Sequence, residues 1–244
     1  MIPSSRAGID NVRQRMGGLL PENRIKLLAQ QVFTTAIDLV FPPFCVGCDR
    51  VGSFLCPRCM ATLVPAPARE VAGLDGVKAA VNYEGAVRRA IHALKYERQR
   101  RVAEPLGRLL TGLDWPVDLV TAVPLHPKRL QERGYNQAAL VAQTVAQLYQ
   151  WEFADDILQR TRETTSQVQL SAQERQANVE GAFDAVTEKV RGKRLLVIDD
   201  VLTTGATMAA CADALRRAGA IQVFGATVAG SMYDVHTGAV DAPV

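Results

Sequence analysis

An apolar run that ends in two adjacent acids constrains this chain more than any other feature. Residues 194–198 have the sequence Arg-Leu-Leu-Val-Ile, and Asp199 and Asp200 follow directly. A stretch rich in threonine comes next, and residues 207–218 then have the composition of a helix that ends before Gly219. This succession predicts a buried strand, a tight polar loop and a helix N-terminus.

The residues of this loop suit a ribose phosphate. A helix N-terminus favours a phosphate because its first N–H groups are free and the positive end of its dipole lies there. A glycine lets the backbone approach closely, hydroxyls add donors, and two carboxylates can accept from the vicinal hydroxyls of a ribose. The predicted ligand-binding residues are Asp199, Asp200, Thr203, Thr204, Gly205, Ala206 and Thr207. The alternative is an ordinary strand–loop–helix joint in which the acids cap the helix.

The same string resembles the phosphoribosyl pyrophosphate (PRPP) signature of type I phosphoribosyltransferases. The resemblance implies that Asp199 and Asp200 hold the ribose 2′- and 3′-hydroxyls and that residues 203–207 hold the 5′-phosphate. It also implies that Mg²⁺ accompanies the pyrophosphate. The string is not a P-loop, because it lacks the Gly-Lys-Ser/Thr ending.

Length and composition favour a globular cytoplasmic protein. The 244 residues suffice for one α/β domain and a small extra module. Hydrophobic residues make up 48% and charged residues 22%, and the net charge of +3 is too small to argue for a nucleic-acid partner on its own. The apolar stretches are shorter than a membrane span, and the polar N-terminus lacks a signal-peptide core.

The order of patterns along the chain predicts a small module followed by an α/β domain. The expected parts are a tail and amphipathic helix (1–40), a cysteine module (41–64), a linker (65–76), the main domain (77–235) and a tail (236–244). Strands are expected at 77–83, 119–123, 194–198 and 221–229, and helices at 86–97, 102–113, 135–149 and 207–218. Such alternation predicts a mostly parallel sheet flanked by helices, with ligands at the carboxyl ends of the strands.

Four of the five cysteines form two Cys-x-x-Cys pairs. They are Cys45 with Cys48 and Cys56 with Cys59, and seven residues separate the pairs. Each pair can hold one side of a tetrahedral Zn²⁺, and four thiolates leave no open position, so a structural site is expected. The metal would supply folding energy that so small a segment lacks. A redox pair or two disulfides are the alternatives, which the spacing favours less.

A second cluster follows the predicted strand at 119–123. Its candidate pyrophosphate-binding residues are Val123, Pro124, Leu125, His126, Lys128 and Arg129. Cations at the carboxyl end of a strand lie where a pyrophosphate needs donors. The alternative is a solvated basic turn.

Two further polar segments suit ligand contacts. Residues 160–183 interrupt the strand–helix rhythm, as lids over reactive centres do, and the lid candidates are Arg160, Gln167, Arg175 and Asn178. The alternative is a surface excursion. Residues 88–101 are dense in arginine with one tyrosine, a composition that can contact nucleic acid, although a charged helical face is usually only solvated.

Taken in order, these motifs resemble the ComF/GntX family of phosphoribosyltransferase-like proteins over about residues 41–229. The resemblance implies a zinc-ribbon-like module ahead of a type I phosphoribosyltransferase fold. It also implies a link to natural competence and to the handling of incoming single-stranded DNA. Glutamine-dependent amination is not expected, because the chain starts Met1-Ile2-Pro3 and has no room for a glutaminase domain.

Two hypotheses follow. The favoured one is an enzyme that binds PRPP with Mg²⁺ and transfers phosphoribosyl to an acceptor that the sequence does not name. The other is a non-catalytic adaptor that binds PRPP, a nucleotide or single-stranded DNA and docks a helicase-type competence protein. Acceptor specificity would lie in a hood near residues 84–112, and homo-oligomer formation is left open.

Overall fold

The computed structural model describes residues 42–162 and 181–231. Its strands are β1 (Gly76–Asn82), β2 (Leu119–Ala122), β3 (Glu152–Phe153), β4 (Leu158–Arg160), β5 (Phe183–Ala185), β6 (Arg194–Leu202) and β7 (Gln222–Gly230). Five strands form one sheet in the order β1-β7-β6-β2-β3, and every neighbouring pair is parallel. Strands β4 and β5 form a separate antiparallel pair. The predicted parallel sheet flanked by helices is therefore confirmed.

Seven α-helices lie in the described part of the chain. They are α1 (Pro57–Met60), α2 (Gly85–Tyr96), α3 (Ala103–Gly107), α4 (Pro127–Arg133), α5 (Gln137–Tyr149), α6 (Thr187–Val190) and α7 (Ala206–Arg217), with a 3₁₀ turn at Arg100–Val102. None of those that the structure describes is long and apolar enough to cross a membrane.

The apolar residues of the central strand alternate between the two faces of the sheet. Leu196 and Ile198 pack against helices α2, α3 and α5 on one face. Leu195 and Val197 pack against helix α7 and the β4–β5 pair on the other face. Burial on both faces explains the uninterrupted apolar run of β6.

Strand β6 is longer than its apolar run predicts. It continues through both acids to Leu202, because Asp199 pairs with Thr227 and Val201 with Ala229 of the neighbouring strand β7. The acids therefore lie in the C-terminal part of the strand and not in the loop. Cross-strand hydrogen bonding fixes this boundary, and side-chain polarity does not reveal it.

Helix α4 occupies part of the segment that we expected to be a loop. It has no buried residue, so the apolar periodicity that reveals a helix is absent. Its end signals are nevertheless present in the sequence: Pro127 opens the helix, and Gly134 closes it with a φ of 77°. The expected helix at 102–113 is replaced by the 3₁₀ turn and the short helix α3.

The segment expected to be a linker begins against the edge of the sheet. Pro65 forms an antiparallel bridge with Val81 of β1, and the Asn82 N–H donates to the Val64 carbonyl over 2.8 Å. Farther along, the side chains of Val71 and Leu74 pack into the core on the α7 face. The division of the chain at residues 65 and 77 remains a prediction.

Candidate functional site

The joint between β6 and α7 has the local structure that its sequence predicts. Gly205 is the N-cap of α7 and has a φ of 84°, a conformation that other residues rarely adopt. A Cβ at this position would also lie 2.7 Å from Cγ2 of Val71. Glycine is thus required both by the backbone conformation and by the close approach of a neighbouring side chain.

The loop ahead of α7 is held by two polar contacts. The Thr204 hydroxyl accepts from the Ala206 N–H over 3.3 Å. The Arg69 guanidinium donates to the Thr203 carbonyl over 2.7 Å. Sequence reasoning missed Arg69, because a single arginine in a predicted linker gives no signal. The side chains of Thr203, Thr204 and Thr207 are half-buried beside the start of the helix.

The two acids point to opposite faces of the sheet, as successive residues of a strand must. Asp200 is only 5% exposed. Its Oδ1 lies 2.7 Å from the Lys95 ammonium, and its Oδ2 accepts from the Gln137 amide over 2.8 Å. These partners come from α2 and α5, so Asp200 faces the side of the sheet that these helices cover.

Asp199 faces the other side and is half-buried. Its pKa is raised to about 7, first by burial and second by the negative charge of Asp200, while the charges of Lys95 and Arg160 act in the opposite sense. Its Oδ1 accepts from the Asp200 N–H over 2.8 Å. A ligand that offers hydroxyl donors or a cation would favour the ionised form of this carboxyl.

Lys95 belongs to this site although the sequence prediction did not include it. Burial alone would lower its pKa, but the nearby Asp200 carboxylate outweighs burial and raises the pKa. A signal was present in the sequence. Lys95 lies at helical spacing on the same face of α2 as Ile91 and Leu94, both of which are fully buried. A cation on an apolar face needs a buried partner.

The expected pyrophosphate loop lies beside the end of β6. The Val123 N–H donates to the Ile198 carbonyl over 2.9 Å, and the Val123 carbonyl accepts from the Asn136 amide over 2.9 Å. The next residues, Pro124 and Leu125, are half-buried. These contacts fix the start of the loop near the acids, and its role in binding pyrophosphate remains a prediction.

The cations of this loop have different surroundings. His126 caps helix α4, since its Nδ1 accepts from the Lys128 N–H over 3.4 Å. Lys128 is exposed and Arg129 is half-buried. The sequence left open whether His126 packs or contacts a ligand, and the structure gives its ring a capping contact.

Arg160, a predicted lid residue, lies in strand β4 and not in a loop. Its guanidinium lies 5.4 Å from the centre of the Phe183 ring. Burial and the charge of Arg129 lower its pKa, whereas the charge of Asp199 acts to raise it. The acid strand, the loop at 123–129 and the start of the polar segment therefore come within electrostatic range of one another. The other lid candidates, Gln167, Arg175 and Asn178, lie outside the described residues.

The four clustered cysteines form one compact sulfur site. The Sγ atoms of Cys45, Cys48, Cys56 and Cys59 all lie within 4.8 Å of one another, and those of Cys48 and Cys56 are 3.6 Å apart. Tetrahedral zinc with bonds of about 2.3 Å places its sulfurs roughly 3.8 Å apart, so this spacing fits a metal ion. Cys211 is also a free thiol, buried far along the chain in α7, and it takes no part in the cluster.

The sulfurs need a cation to share this space as thiolates. The Cys59 N–H lowers the pKa of Cys56, and burial together with the neighbouring sulfurs raises that of Cys59. Gly47 permits the close packing, because a Cβ there would lie 2.7 Å from the Cys59 sulfur. The cluster can therefore hold a structural metal, as its spacing predicted.

The cysteine module packs directly on helix α2. Ala86, in the first turn of α2, is buried together with three of the cysteines and Leu55. The Arg89 guanidinium donates to the Gly47 carbonyl, and the Arg101 guanidinium lies 4.8 Å from the centre of the Phe54 ring. Helix α2 thus contacts the cysteine module at its start and Asp200 near its end.

A groove of about 640 Å³ lies between the module and α2. Its lining combines prolines and aromatic residues with several arginines. The lining includes Pro42, Pro43, Phe44, Phe54, His92, Arg89, Arg98, Arg100 and Arg101, together with the acids Asp49 and Glu97. Phe44 is 54% exposed. The groove therefore offers both apolar surface and positive charge.

Comparison with known proteins agrees with the fold and the order of motifs. Residues 134–237, which include the β6–α7 joint, match the phosphoribosyl transferase domain family. DNA utilization protein YhgH of Escherichia coli K12 is 37% identical over 143 residues, covering 54% of this chain and 62% of that protein. Competence protein F of Haemophilus influenzae is 28% identical over 197 residues, covering 75% of this chain and 83% of that protein.

The fold and the matched domain define a phosphoribosyltransferase-like protein. These relatives and the matched domain support the resemblance to the ComF family that the motifs indicated. The chain spans less than two thirds of the length of YhgH. Among solved structures, the Bacillus subtilis glutamine PRPP amidotransferase complexed with ADP and GMP is 22% identical with a TM-score of 0.38, covering 55% of this chain and 27% of that one.

The cysteine cluster gives a first prediction. The protein should contain one zinc ion per chain, and Cys59→Ala should lose it and unfold at a lower temperature, because the metal holds the small module together. Metal analysis and thermal unfolding measure both effects. Cys211→Ala is the matched control and should keep its zinc. Equal zinc content in the two variants would contradict the assignment.

The different environments of Asp199 and Asp200 give a second prediction. Asp200→Asn should lower the free energy of unfolding by roughly 2 kcal/mol, because it leaves the Lys95 ammonium without its charged partner. Asp199→Asn should raise the free energy of unfolding by about 1 kcal/mol above pH 7, since it removes a carboxylate whose raised pKa makes ionisation costly in the folded state.

The pH dependence checks the sign of the Asp199 effect. Because the folded-state pKa is the higher one, ionisation of Asp199 costs stability progressively as pH rises from about 4 to about 7. The advantage of Asp199→Asn over the natural protein should therefore be absent near pH 4 and full above pH 7. Urea unfolding at a series of pH values measures it, and an advantage that grows towards low pH would refute the assignment.

Proposed function

We propose that the chain binds PRPP or ribose 5-phosphate together with Mg²⁺ at the β6–α7 joint. One observation carries the proposal: a half-buried acid, Asp199, lies near the end of β6, and a glycine-containing loop and the N-terminus of a twelve-residue helix follow this strand. The helix N-terminus suits the 5′-phosphate. The Asp199 carboxylate suits the ribose hydroxyls.

The acid site fits Mg²⁺ only together with a phosphorylated ligand. Among the described residues, the cysteines form the only group of three or more potential metal ligands. Of the two adjacent acids, only Asp199 has a carboxylate oxygen, Oδ2, for which the described residues supply no partner. Mg²⁺ is commonly bound through one or two carboxylates plus substrate phosphates, and it keeps several waters. Asp199 would thus help to hold a metal that the pyrophosphate brings, and the metal would neutralise charge on the leaving group.

The proposed reaction is transfer of phosphoribosyl to an acceptor. The bond between C1 of the ribose and pyrophosphate breaks, and a bond from C1 to the acceptor forms. The chain would contribute mainly by positioning the ribose and by stabilising charge on the departing pyrophosphate. The loop at 123–129, fixed to β6 through Val123, supports this assignment because its cations lie at the same edge of the sheet.

Calorimetric titration of the zinc-loaded protein with PRPP and Mg²⁺ tests the proposal. The natural protein should bind, and Asp199→Asn should weaken binding at least roughly a hundredfold, because hydrogen bonds to a charged group contribute about 1.5–3 kcal/mol each and the metal contact is lost as well. Asp184→Asn, on the exposed side of β5, is the matched control. Absence of binding by the natural protein, or equal affinity of both variants, would reject the site.

A second candidate function is that of an adaptor for single-stranded DNA in DNA uptake. The groove between the cysteine module and α2 favours it, because stacking surfaces beside arginines suit the bases and phosphates of a single strand. The relatives named DNA utilization protein and Competence protein F point to the same process. A helicase-type partner docked by the module belongs to this proposal.

Binding of a fluorescent oligonucleotide at several salt concentrations tests this candidate. Affinity should fall steeply with salt through counterion release. Phe44→Ala and Arg98→Ala, both in the groove, should each weaken binding about tenfold. Arg217→Ala, at the far end of α7, is the control. Binding that is absent, or that is indifferent to both groove variants, would exclude the groove.

A further inference from the structure

Asp200 is only 5% exposed, so it offers a ligand little access. Both of its carboxylate oxygens already accept hydrogen bonds, one from Lys95 over 2.7 Å and one from Gln137 over 2.8 Å. The side chain is also turned away from Asp199, towards helices α2 and α5. Its contacts therefore assign it to a three-residue unit with Lys95 and Gln137.

Lys95 keeps donors that this unit does not use. An ammonium group has three N–H donors, and Asp200 is the only hydrogen-bond partner of the Lys95 Nζ among the described residues. The Lys95 side chain is 21% exposed, so it is not completely enclosed by protein. The Lys95 ammonium also lies within electrostatic range of Asp199 and Tyr83. Two N–H groups therefore remain for oxygen atoms of a ligand beside Asp199.

The stability of the fold does not require the ion pair between Lys95 and Asp200. Desolvation of two buried charges offsets much of their attraction, and apolar residues of similar volume often stabilise a protein as well or better. The rest of the inner face of α2, including Ile91 and Leu94, is apolar and fully buried. The lysine interrupts this face only where it reaches the acid strand.

The unit is linked to the start of the pyrophosphate loop through the first residues of helix α5. Asn136 fixes that loop through the Val123 carbonyl over 2.9 Å, and the next residue, Gln137, holds Asp200. Helix α7, whose N-terminus is proposed to take the 5′-phosphate, packs on the opposite face.

We infer that Lys95 is a ligand-binding residue that donates to the pyrophosphate of PRPP, and that Asp200 is a positioning residue that holds Lys95. Asp199 is then the acid that accepts the ribose hydroxyls. This inference rests on the proposed function, and it revises the expectation that Asp199 and Asp200 act alike on the ribose.

Three ligands separate these roles: PRPP, ribose 5-phosphate and inorganic pyrophosphate, each titrated with Mg²⁺ into the zinc-loaded full chain. Lys95→Met should weaken the binding of PRPP and pyrophosphate roughly tenfold to a hundredfold, because a charge-assisted hydrogen bond is lost. It should leave ribose 5-phosphate unaffected. Asp199→Asn should weaken PRPP and ribose 5-phosphate instead. Lys95→Arg should retain most of the affinity for pyrophosphate.

The double variant Lys95→Met/Asp200→Asn guards against a merely structural effect. It removes both charges of the pair, so it should unfold near the temperature of the natural protein and above that of Lys95→Met. Its affinity for PRPP should nevertheless stay as low as that of Lys95→Met. Lys189→Met, in the exposed ion pair with Asp156, is the matched lysine control and should bind normally.

Recovery of PRPP affinity in the double variant would overturn the inference and reduce Lys95 to a structural partner. Equal weakening of ribose 5-phosphate and pyrophosphate in Lys95→Met would overturn it too. In both cases the natural protein still binds PRPP, so the proposed function stands. If the natural protein binds none of the three ligands, the proposed function and this inference fail together.

Discussion

Successive side chains of a β-strand face opposite sides of the sheet, and this constraint gives the adjacent acids of β6 two different environments. Asp199 faces the side of the sheet on which helix α7 packs. Asp200 meets helix α2, where Lys95 neutralises it at 2.7 Å. Because α2 also carries the packing surface of the cysteine module at its first turn, one helix connects the metal cluster to the acid strand. A structural change at one end of α2 should therefore affect the contacts at its other end.

Much of the fold could be predicted because burial leaves a clear pattern in the sequence. The apolar run of β6 and the alternation of strands and helices identify a parallel sheet whose core strands are covered on both faces. Helix α4 escaped prediction because all of its residues are accessible or only half-buried, although Pro127 and Gly134 mark its two ends. The end of β6 could not be placed, because its last pairs with β7 depend on the neighbouring strand.

The site was predictable where one short segment carries all of its residues. The four cysteines and the loop at 203–207 are of this kind, since local spacing alone brings their atoms together. The unit formed by Asp200, Lys95 and Gln137 spans 105 positions of the chain, from α2 to β6. No local pattern reports such a contact, and the only hint was a lysine on an apolar helical face. Asp199 and Asp200 face opposite sides of the sheet because β6 extends through both of them. The predicted strand ended at residue 198, and this error in the boundary also concealed the different environments of the two acids.

A crystal structure of the zinc-loaded protein with PRPP and Mg²⁺ is the most direct test of the central claim, which is that the carboxyl end of β6 binds a phosphorylated ribose. We expect the 5′-phosphate at the first N–H groups of α7, the ribose hydroxyls on Asp199 and the pyrophosphate within reach of Lys95. A ligand seated in the groove beside the cysteine module, or a ribose that leaves Asp199 without contact, would contradict it.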